Sequence, residues 1–158
     1  MSIIVCIGNE LVADDAIGFE VHALLEKILP PDVRLEYCSV GGIALLDLLD
    51  GTHEAMVVVD AMCLGASIGT VHCLSLGDIP QSSANAISAH GIGLRETMQI
   101  GHALYPERMP KLITLVGVEG RCFDLPRVHM SQEVAAAIQP AVRQVLSLLQ
   151  IKSLQYDI

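Results

Sequence analysis

Ile3-Ile4-Val5-Cys6-Ile7-Gly8-Asn9 opens the chain with an unbroken apolar run cut short by a glycine and a polar residue. Such runs, rich in β-branched side chains, suit a strand covered on both faces, as in a parallel sheet. Ile17, Val21, Leu24, Leu25 and Ile28 then recur at the spacing of one helical face, until Pro30-Pro31 stops the helix. The alternation continues outward. Val33 to Cys38 reads as a second strand, followed by Gly41-Gly42 and a short Leu-rich helix around Leu45 to Leu49. Ala55 to Val59 reads as a third strand that ends on Asp60. Thr70 to Leu76 follows Gly65 and Gly69 and alternates moderately, as an antiparallel edge strand would. Ser82 to Ala89 forms a small-residue loop leading to His90, and Leu94, Met98 and Gly101 line a helix. Leu112 to Val118 is the last strand. Val134, Ile138, Val142, Val145, Leu146 and Leu149 form the last helical stripe. Ser131 is its expected N-cap, Glu133 lies in its first turn, and Pro140 should kink it. Strands alternating with helices predict a three-layer α/β/α sandwich: a mixed, mainly parallel sheet of about five strands with helices on both faces. No linker or repeat interrupts 1–158, so one domain is expected, with a tail that frays from Lys152.

With 158 residues, the chain is long enough to bury a core without disulfides or a structural metal. Its formal net charge of −9 argues against nucleic acid or an anionic membrane as the main partner. A hydrophobic content of 52% with 17% charged residues excludes global disorder. No run approaches the 18 or so apolar residues of a membrane span, and no N-terminal signal is visible. The five cysteines, Cys6, Cys38, Cys63, Cys73 and Cys122, form no C-x-x-C pair. They read as small buried hydrophobes of a reducing, cytoplasmic compartment.

In open α/β sheets, sites lie at the carboxyl ends of the strands. Three polar points fall there: Asp14-Asp15 after the first strand, Asp60 at the end of three valines, and His90 in its small-residue loop. Each has a bland alternative. Asp14 or Asp15 could cap the helix that starts near Ile17, Asp60 could satisfy loop amides, and His90 could be an ordinary loop histidine. His22, His53, His72, His102 and His129 carry no special signal; His53, His102 and His129 belong to surface segments. Two carboxylates and one imidazole in one crevice would suit a first-row divalent ion such as nickel, zinc or manganese, with coordination positions left open. No nucleotide-binding glycine motif, H-E-x-x-H or G-x-S-x-G elbow is present.

At these residues the sequence resembles the hydrogenase maturation endopeptidases. The likeness runs from Cys6-Ile7-Gly8-Asn9-Glu10-Leu11 through Asp14-Asp15-Ala16-Ile17-Gly18, then Val58-Val59-Asp60-Ala61, Ser88-Ala89-His90-Gly91-Ile92-Gly93-Leu94 and Thr114-Leu115-Val116-Gly117-Val118. The resemblance implies a cytoplasmic peptidase, often classed with the aspartic type. Its substrate would be the large-subunit precursor of a nickel-iron hydrogenase, from which it removes a C-terminal extension once nickel has been inserted. By the motifs, the nickel contacts fall on Asp15, Asp60 and His90, with nickel supplied by the precursor and Asp15 or Asp60 available as a base. Some members carry glutamate at the first position, one methylene longer than Asp15. Many carry Asp-Gly-Gly-Thr after the second strand, where this chain has Val40-Gly41-Gly42-Ile43, so no role passes to Val40. The competing function is a metal-binding chaperone that escorts the precursor without cutting it. A third is a free-standing metallohydrolase acting on small substrates.

Overall fold

The computed structural model describes residues 1–80 and 93–150; the loop expected over Ser82 to Ala89, His90 and the tail from Lys152 lie outside the described residues. The apolar runs form the strands β1 (Ser2–Ile7), β2 (Arg34–Cys38), β3 (Ala55–Met62), β4 (Val71–Ser75) and β5 (Leu112–Glu119). They pair in the order β2-β1-β3-β5-β4. The first four in that order run parallel, and β4 closes the edge antiparallel to β5.

The pleat divides the side chains between two cores. Ile4, Cys6, Val57, Val59, Val116 and Val118 face α1 (Ile17–Ile28) and α3 (Gln132–Leu148), meeting Val21, Leu25, Val142 and Leu146. Ile3, Val5, Ile7, Met56, Val58 and Leu115 face the other way. There they meet Met98 of α2 (Leu94–Leu104) and Leu45, Leu46 and Leu49 from the connection between β2 and β3. Helical elements thus cover both faces, which is why β1 and β3 carry no polar side of their own.

Several local expectations change. The Leu-rich segment is a 3-10 helix over Gly42–Leu48. Arg108 holds its end, donating from Nη2 to the Leu46 carbonyl (3.0 Å) and from Nε to that of Leu49, the residue just past it (2.6 Å). β3 does not end on Asp60 but continues to Met62, paired with Glu119. Gly117 permits this, because the Met62 side chain occupies the place where a Cβ on Gly117 would stand. α3 runs unbroken through Pro140. The carbonyl that loses its helical donor belongs to Ala136, which is exposed and can bind water. His53 is buried rather than on the surface, with Asp50 Oδ1 3.5 Å from its Nδ1. Of the five free cysteines only Cys6 is buried; Cys63 and Cys73 are exposed, because the chain places them in a loop and on the edge strand.

Candidate active site

Strand β1 is the switch point of the sheet. From it the chain passes through α1 to β2 on one side, then returns to β3 on the other. The connections after β1 and β3 therefore part at neighbouring carboxyl ends, the place where such sheets open a crevice.

Two glycines bring the first aspartates there. A Cβ on Gly8 would collide with the Asp15 carbonyl oxygen, and one on Gly18 with the Ile7 carbonyl. The start of α1 therefore lies directly on the end of β1, and the turn Asp14–Ala16 is folded back toward the sheet. Asn9 donates its backbone N–H to Asp15 Oδ2 at 3.0 Å, so Asp15 is turned toward the loop and does not cap α1. Asp15 is 5% exposed. From β2, the Tyr37 hydroxyl donates to the Gly8 carbonyl at 2.6 Å, while its ring packs edge-on against Phe19.

Asp60 lies within β3, opposite Gly117, and alternates onto the face shared with Val58 and α2. It is half-buried, and its Oδ1 accepts the Ala61 N–H at 2.8 Å. Burial, and then the negative charge of Asp15, push its carboxyl well above the ordinary carboxylate range against the pull of that one hydrogen bond. The structure thus brings Asp15 and Asp60 within mutual electrostatic reach, and their repulsion is what a bound cation would relieve. Among the described residues no group of three or more His, Cys, Asp or Glu side chains is set to hold a metal ion. His90, the third expected ligand, lies outside those residues.

Two further carboxylates line the same edge. Asp14, read from sequence as a possible helix cap, is fully buried and caps nothing in α1. It accepts hydrogen bonds from the segment after β5 and from Ser131 at the start of α3. Ser131 spends its hydroxyl on Asp14 and makes no capping bond of its own. Glu119, which closes β5, is not among the residues the sequence motifs mark. It is 2% exposed and takes the Leu64 N–H on both oxygens (3.0 and 2.8 Å), the Ala66 N–H (3.0 Å) and an approach from His72 Nε2 (3.4 Å). It pins the loop that follows β3. Its signal was the one that marked Asp60, a carboxylate closing an apolar strand.

Comparison with known proteins identifies the family. A family model described as hydrogenase maturation protease matches residues 21–148. The hydrogenase 2 maturation protease of Escherichia coli K12 is 32% identical over 147 residues, covering 90% of this chain and 87% of that protein. Among solved structures, the hydrogenase maturating endopeptidase HybD of E. coli superposes with a TM-score of 0.77 at 28% identity, over 94% of this chain and 91% of its own. The [NiFe] hydrogenase maturation protease HybD of Thermococcus kodakarensis gives 0.72 at 26% identity, over 93% and 97%.

Proposed function

The chain belongs to the hydrogenase maturation protease family and is a peptidase, and from that premise we propose that it cuts the C-terminal extension from a nickel-iron hydrogenase large-subunit precursor after nickel has been inserted. Asp15, Asp60 and His90 take hold of the nickel that the precursor carries, in the cytoplasm where both proteins reside. The observation behind this reading is that Asp15 and Asp60 lie close enough at the carboxyl edge of neighbouring strands for their like charges to repel. Carboxylate oxygens and an imidazole nitrogen are suited to a first-row divalent ion. Bound to the precursor, that ion supplies a recognition mark and a Lewis acid near the scissile bond.

The chain's own residues do the rest. Peptide hydrolysis needs a base for the attacking water and an acid for the departing amine. Asp15 or Asp60 is available as the base for the attacking water. Exposed Leu11, Val40, Leu64 and Val128 stand on the connections that leave the carboxyl ends of β1, β2, β3 and β5.

The test is cleavage of nickel-loaded and nickel-free precursor side by side, followed by mass. Loss of the extension from the loaded form only is the expected result. Equal rates would exclude nickel recognition, and an unchanged precursor mass would favour the escorting chaperone.

A further inference from the structure

The Asp14 carboxylate is fully buried and accepts four hydrogen bonds. Oδ2 takes the Arg121 N–H, the Cys122 N–H and the Ser131 hydroxyl, each at 2.8 Å, and Oδ1 takes the Ser131 N–H at 2.6 Å. A carboxylate has about four lone-pair sites, two on each oxygen; Oδ2 is fully engaged, Oδ1 already holds the Ser131 N–H, and burial keeps the group from substrate. The backbone around it is tied to the same segment. Asp14 N–H donates to the Cys122 carbonyl (2.9 Å), Ala13 N–H to Leu125 (3.0 Å), and Arg127 N–H to Leu11 (3.0 Å). Gly120 leaves room for the clamp, since a Cβ there would stand 3.0 Å from the Asp14 Cβ.

We propose that Asp14 is the positioning residue of the site: by fastening the turn Asp14–Ala16 to the β5–α3 connection, it sets the direction in which its neighbour Asp15 presents its carboxylate. The pair Asp14-Asp15 then divides the work, one residue building and the next acting. The catalytic part of this inference rests on the reading of Asp15 as a site residue; the positioning itself can be tested without it.

The Asn9 amide reports where Asp15 points, because its N–H is held by Asp15 Oδ2 and is not bonded by Asp14. In D14N an amide nitrogen meets backbone donors, and the clamp loosens. Hydrogen exchange at Asn9 should then quicken about tenfold, the equivalent of losing one good hydrogen bond. Asn9 protection unchanged while Arg121, Cys122 and Ser131 lose theirs would overturn the proposal and leave Asp14 a local clamp. If D14N does not fold, Ser131→Ala removes one donor and keeps the charge. A smaller, two- to threefold quickening at Asn9 is expected, and none would overturn the proposal. A second measurement is binding of nickel-loaded against nickel-free precursor per folded molecule. Wild type should prefer the loaded form and D14N should lose that preference. If wild type shows no preference, the nickel reading of Asp15 fails, and the Asn9 amide still decides the positioning role.

Discussion

The α-carbon of Gly18 lies against the carbonyl oxygen of Ile7, so close that any Cβ at position 18 would overlap it. This contact seats α1 on the end of β1 and brings the turn Asp14–Ala16 back toward the sheet. The obstacle is backbone, which cannot swing aside as a side chain can. Gly18→Ala should therefore cost about 3 kcal/mol or more, at the upper end of overpacking effects. Urea unfolding measures it, and a loss below about 1 kcal/mol would mean that the helix shifts freely on the strand.

Asp60→Asn separates stability from function. Asp60 has a raised folded pKa, so its contribution to stability is complete below the ordinary carboxylate range and declines as pH rises through the folded value. Asparagine removes that decline and keeps an oxygen for the Ala61 N–H. The metal-free variant should match or exceed wild type in melting temperature at neutral pH, with the gap closing in acid, while processing is lost. A less stable variant that still cleaves would reduce Asp60 to a loop anchor.

Asp14 has the opposite sign. Burial alone would raise its carboxyl, but hydrogen bonds from Cys122, Arg121 and Ser131 hold it below the ordinary value. Its stabilising contribution is present above the ordinary carboxylate range and is lost as pH falls through the lower folded value. Wild type should weaken in acid more steeply than D14N, and Asp14→Ala at neutral pH should cost about 3 kcal/mol through its orphaned donors. Parallel pH curves for wild type and D14N would contradict this.

His90→Ala should fold like wild type and fail to process the precursor. The residue sits in a run of small side chains, Ser88-Ala89-His90-Gly91, where truncation removes little packing. A far-UV spectrum and melting temperature like wild type's, together with normal cleavage, would remove His90 from the site.

The sequence by itself determined the layers and the strand count. Apolar runs buried on both faces demand helices on both sides, and the weak alternation of Thr70 to Leu76 marks an edge strand whichever way the others lie. It also singled out Asp15 and Asp60, because a carboxylate after Val57-Val58-Val59 is costly unless used, although β3 runs two residues past Asp60. Tertiary structure alone decided which carboxylates share an environment. Asp14 and Asp15 are neighbours in sequence, yet one accepts hydrogen bonds from residues more than a hundred positions away while the other accepts the N–H of Asn9 and shares its electrostatic environment with Asp60. No local pattern encodes that division. It arises where β1 and β5 bring their trailing loops together, and buried backbone donors must find an acceptor wherever the chain provides one.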